Sequence, residues 1–71
     1  MADSVYKIIE LVGTSTESWE KAAMNAIERA SKSLRELRVA EIVKLDMTLE
    51  DGKVTAYRAR VSLSFKYEGK D

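Results

Sequence analysis

The spacing of apolar residues along this chain changes twice, and each change marks a new element. From Val5 to Val12 the residues are mostly β-branched or apolar, interrupted by Lys7 and Glu10, which predicts a strand that Gly13-Thr14-Ser15 brings to an end. Trp19, Ala22, Ala23, Ala26, Ile27, Ala30, Leu34 and Leu37 then recur at steps of three and four, the signature of one helical face. No Gly or Pro interrupts residues 18 to 36, and Ser15 or Ser18 is placed to cap the first free N–H groups of that helix. Beyond it the pattern becomes alternating. Val39, Val43, Leu45, Met47 and Leu49 are expected on one strand face, with Lys44, Asp46, Thr48 and Glu50 on the other. Asp51-Gly52 is a two-residue hairpin signal, because a type I′ turn needs positive φ at both central positions. On the return strand Tyr57, Ala59, Val61, Leu63, Phe65 and Tyr67 alternate with Arg58, Arg60, Ser62, Ser64 and Lys66. The first few residues and Glu68 to Asp71 are expected to fray.

The predicted architecture is α+β, a β-α-β-β unit occupying residues 1–71 as one domain. A helical connection does not easily set the first two strands side by side in antiparallel fashion. A three-stranded antiparallel sheet results if the last strand lies in the middle, in the order 1-3-2. Its length and freedom from Gly and Pro suit that central place.

Length and composition limit how such a unit can be stabilised. Seventy-one residues without a cysteine or a histidine cannot use a disulfide, a thiolate site or an imidazole ligand. Association is the ordinary remaining route. A helix of about 19 residues reaches about 28 Å, whereas hairpin strands of about 12 residues reach roughly 40 Å. One alanine-lined helix cannot cover such a hairpin, so apolar surface is left for an interface.

Twelve Lys and Arg balance twelve Asp and Glu, which gives no overall attraction to nucleic acid. No apolar run approaches the roughly 20 residues of a membrane span, and MADSVYK does not read as a secretory signal, so the default expectation is cytoplasmic. Without a histidine base, Ser62 and Ser64 have no conventional activator, and no nucleophile–base pair, phosphate-cradling glycine loop or metal-ligand cluster is visible. An enzyme is not expected.

The ordered set VYKIIELVGTS, WEKAAMNAIERASKSL, RVAEIV, DGKV and VSLSF resembles the dodecin family over nearly the whole chain. The resemblance implies a sheet curled around one helix and twelve copies closing into a hollow shell. Flavin-binding dodecins carry a Trp opening the second strand in a Trp-x-Glu-Val pattern and a Gln on the third strand. Here these positions are Val39 and Arg58, the latter following Tyr57. Valine has no π face, and arginine only donates where an amide both donates and accepts. Flavin in the usual mode is therefore not expected. The pattern resembles more closely the calcium dodecin branch, with SWE at the helix start, RVA at the strand start and Asp-Met in the second strand.

Calcium takes six to eight oxygen ligands. Asp46, Glu50 and Asp51 are the carboxylates at the polar end of the hairpin, too few in one subunit, so a site would draw on symmetry mates. The resemblance makes Asp46 the first candidate ligand and Glu50 the second; the plain alternative is a solvated strand face with a turn aspartate. Glu41 shares the predicted apolar face, where a carboxylate is either a perturbed functional acid or, as expected here, the partner of an Arg such as Arg58 or Arg60 across the sheet or an interface. Trp19 reads as packing in the helix stripe rather than as a stacking platform. The leading expectation is a binding or storage shell with a divalent cation as ligand. Its rivals are a flavin or other planar-ligand binder using Tyr57 and Arg58, and a structural or protein-interaction module.

Overall fold

A computed structural model describes residues 4–66 of the chain. Strand β1 (Tyr6–Ser15) leads to helix α1 (Trp19–Ser31), and strands β2 (Leu37–Glu50) and β3 (Lys53–Lys66) follow as a long hairpin. The sheet is antiparallel throughout, in the order β1-β3-β2, as the direction argument requires. The hairpin turns on Asp51 and Gly52, both at positive φ (53° and 76°), the geometry of a primed turn. Tyr67 and the chain beyond it lie outside the described residues.

Two boundaries differ from the expectation. Strand β1 does not stop at Gly13 but continues through Ser15, with Gly13 opposite Ala59 in the ladder. The reason is a close approach: a β-carbon at Gly13 would sit 2.0 Å from the Ala22 carbonyl oxygen and 3.0 Å from the Ala26 methyl carbon. Gly13 is thus where α1 lies down on the sheet. The helix is also shorter than its periodicity suggests. Ser18 caps its start, its hydroxyl accepting from the Lys21 N–H, while Ser15 accepts from the N–H groups of Glu17 and Ser18. At the other end Lys32, Ser33 and Leu34 donate to the carbonyls of Arg29 and Ala30 in a tightening turn, and Glu36 stands at φ 61°. Leu34 and Leu37 still pack against the core, but from the connection and from the start of β2.

The core is made of small residues. Ala22, Ala23, Ala26 and Ala30 of α1 press on Ala59, Val61 and Leu63 of β3, with Ile9, Leu11 and Ile27 partly buried around them. The helix packs against β1 and β3 and barely meets β2. Thirteen residues give it about 20 Å of length, against about 46 Å for each 14-residue hairpin strand.

Three register shifts interrupt the β2–β3 ladder, at Leu37/Val39, Ile42/Lys44 and Thr48/Leu49. Residues opposite one another share a sheet face, so the shifts reassign the faces. Leu45 and Met47 do face the helix side, opposite Ala59 and Tyr57. Past the shift at Val43, however, Ala40 and Ile42 take that side, opposite Leu63 and Val61. Val39 and Glu41 fall on the far side, opposite Ser64 and Ser62, contrary to the expectation from unbroken alternation.

Candidate functional site

The polar face of the sheet carries the candidate chemistry. Asp46 on β2 stands opposite Arg58 on β3, which in turn stands opposite Thr14 on β1. The Arg58 guanidinium grips the Asp46 carboxylate with a fork: Nε donates to Oδ1 at 2.7 Å and a terminal nitrogen donates to Oδ2 at 2.9 Å. These hydrogen bonds hold the Asp46 carboxyl below its ordinary value, against a smaller opposing effect of desolvation, and raise that of Arg58. Next along the strand, Arg60 donates to Glu10 on β1 at 3.5 Å. Both arginines therefore pair with carboxylates other than Glu41, the partner expected for them.

Asp46 is also held through its backbone. The Trp19 indole Nε1 donates to the Asp46 carbonyl at 3.0 Å, and the Trp19 ring meets Tyr57 edge-on, with centroids 5.0 Å apart. Trp19 is packing, as its place in the helix stripe implies, but it has a second role as a tether between the start of α1 and the middle of β2. An aromatic residue at a helix start was the available signal; the carbonyl it would reach was not readable without the register.

The remaining candidates do not converge within one chain. Val39 lies opposite Ser64 and Arg58 opposite Asp46, six residues apart along β3, or about 20 Å. Both are on the same polar face but do not adjoin one another within the chain. Val39 is 57% exposed and aliphatic, so a flavin sandwich finds no aromatic face there. Glu50 pairs with Lys53 in the last rung of the hairpin, about 13 Å along the strand from Asp46, and Asp51 occupies the exposed turn. Among the described residues no three His, Cys, Asp or Glu side chains stand close enough to hold a metal ion. Asp46 is thus a fixed single carboxylate, and a calcium shell built on it needs oxygens from elsewhere.

The second feature is apolar. On the helix side, Ile42 and Leu45 are each 48% exposed and Met47 is 44% exposed. Ile42 and Leu45, with Trp19, Glu20, Ala23 and Met24, line an open groove between α1 and β2. No helix among the described residues is long and apolar enough to cross a membrane.

Comparison with known proteins agrees with this architecture. The dodecin family pattern matches residues 5–68. The chain is 47% identical over 64 residues to the calcium dodecin of Mycobacterium tuberculosis, covering 89% of each chain. A solved structure of calcium dodecin from that organism, described as a calcium-chelating antigen with a novel calcium-binding site, superposes with a TM-score of 0.82 at 42% identity, covering 96% of this chain and 97% of that one. The dodecin of Streptomyces coelicolor superposes with a TM-score of 0.90 at 34% identity, over 99% of this chain and 100% of that one. With an ordered sequence match, the β-α-β-β order and the 1-3-2 sheet all in agreement, the chain belongs to the dodecin family.

Proposed function

We propose that this protein is a non-enzymatic, cytoplasmic binding or storage protein. It assembles as a closed homo-oligomeric shell, of twelve subunits by family resemblance, and takes a divalent cation, with calcium foremost. The observation that carries this reading is the uncovered helix side of β2. Ile42, Leu45 and Met47 form an apolar strip that one short helix leaves about half exposed. A strip of that kind is hidden only by a neighbouring copy or another partner. Similarity to a relative named calcium dodecin supports the cation. Asp46, fixed through its backbone by Trp19 and presented on the polar face, is the carboxylate around which subunits would bring further oxygens.

The substitution of Val39 at the family's Trp position favours a hard cation over a planar ring. Calcium takes carboxylate and carbonyl oxygens and needs no π surface. The test is calorimetric titration of calcium into chelator-treated protein, paired with a melting curve at millimolar calcium. Binding heat and a raised melting temperature are expected, since a ligand that prefers the folded state stabilises it. No heat and an unchanged melting temperature would contradict the cation reading.

A further inference from the structure

We propose that the free edge of β2 pairs antiparallel with β2 of a second copy, about a twofold axis at Ile42 and Val43, so that Glu41 of each copy meets Lys44 of the other. This inference rests on the reading above that the chain assembles with itself, and it names the contact through which two copies meet.

The backbone gives the first support. Among the described residues β2 has one neighbouring strand, β3, so alternate N–H and C=O groups along its outer edge have no strand to bond. That edge is 14 residues long and contains no Pro, which makes it a template for another strand. An extra residue ordinarily blunts an edge, because a regular partner cannot follow it. Strand β2 has such a residue at Val43, between the rungs of Ile42 and Lys44. A second β2 turned about an axis at that level brings its own extra residue to the same place. The matched ladder then runs from Val39 to Asp46, between the two outer register shifts.

Charge selects the same register. On the polar face the rotation sets Glu41 opposite Lys44, twice, and Val39 opposite Asp46. Glu41 and Lys44 are the charged side chains of this stretch of β2 that form no hydrogen bond or ion pair among the described residues, whereas Asp46 is already held by Arg58. Opposite charges facing one another on neighbouring strands stabilise a sheet. An axis at Lys44 would instead set Lys44 against itself and Glu41 against Asp46. An axis at Leu45 would leave Glu41 facing Thr48 and put the two extra residues at different levels.

The apolar side agrees. An axis perpendicular to the sheet keeps both helices on one side. Leu45 then faces the small Ala40, the two Ile42 side chains adjoin, and the open grooves between α1 and β2 meet at the axis. Each copy thus covers the strip that the other leaves exposed.

The experiment is disulfide cross-linking joined to charge reversal. The chain has no cysteine, so introduced thiols report only on their own positions. Residues opposite one another in an antiparallel ladder lie about 4.5–5.5 Å apart between Cα atoms, within the reach of a disulfide. Oxidised Glu41→Cys/Lys44→Cys is expected to give a reducible covalent dimer on a denaturing gel, while Glu41→Cys and Lys44→Cys alone give none. Glu41→Lys, which sets lysines against one another, is expected to lower the urea midpoint of disassembly by about 0.5 M. Glu41→Lys/Lys44→Glu restores the pairs in reverse and should return the midpoint to that of wild type. Light scattering and circular dichroism follow mass and fold, and the charge-reversal set serves alone if the cysteine variants do not fold. An assembled double-cysteine protein without the cross-link, or a dimer formed by Lys44→Cys alone, would overturn the pairing and leave the assembly reading standing. So would a midpoint that Glu41→Lys leaves unchanged or that the double reversal does not restore. A native protein that is a single folded chain at micromolar concentration would overturn both.

Discussion

Asp46 is gripped at two points, its carbonyl by Trp19 and its carboxylate by Arg58, and the second grip makes it sensitive to acid. The Arg58 hydrogen bonds lower its pKa in the folded protein relative to the unfolded chain. A depressed carboxylate contributes stability that is fully present above its unfolded pKa and is lost as pH falls through the folded one. The melting-temperature difference between wild type and Asp46→Asn should therefore be steady above about pH 5 and shrink below about pH 4. A difference independent of pH from neutrality to pH 3 (roughly one unit below an ordinary carboxylate) would show that the pair contributes nothing through charge. Glu36, lowered by its bond to Arg38, adds an acid loss of the same sign that both proteins share and that cancels in the comparison.

At the scale of elements, the clearest sequence signals were the ones that needed no register. Helix periodicity, the Asp51-Gly52 turn and the period-two strands indicate the element order, and strand direction together with the last strand's length and freedom from Gly and Pro points to the 1-3-2 sheet. What alternation could not supply was phase. A two-residue turn with unbroken strands would set Leu45 against Arg58, an apolar side chain against a charge. The structure avoids this with a shift after Thr48 that brings Asp46 to Arg58, then a second at Val43 that moves Glu41 and Val39 to the polar face. The mismatch between turn and alternation was present in the sequence as a signal of a bulge. The position of the second bulge was not, because Ile42 and Val43 are equally apolar. The helix is shorter than its periodicity for a related reason: Leu34 and Leu37 keep the three-and-four spacing while packing from a loop and a strand. Gly13, a strand-end signal by residue type, is instead the contact between β1 and α1. Gly13→Ala should force the helix off the sheet and cost about 3 kcal/mol, at the upper range for overpacking. Urea denaturation at one fixed protein concentration measures this, and a loss below about 0.5 kcal/mol, the range of neutral surface changes, would show that the helix yields at little cost.

For the whole molecule, the decisive fact is the uneven cover. Among the described residues the buried core consists of four alanines from the helix, Ala59, and only Val61 and Leu63 as large fully buried side chains. Meanwhile Ile42, Val43, Leu45, Met47 and Leu49 remain exposed along one edge strand. A core this small, in a chain with neither disulfide nor histidine metal ligand, is weak by itself. Edge strands with long apolar faces are surfaces for another chain. The overhang expected from element lengths is larger in the structure than in the sequence-based arithmetic, because α1 is shorter and the strands are longer. The most direct measurement is the mass of the purified native protein by light scattering at micromolar concentration. The account predicts one closed species of twelve times the 8.0 kDa chain. A compact, fully folded species with the mass of a single chain would contradict it.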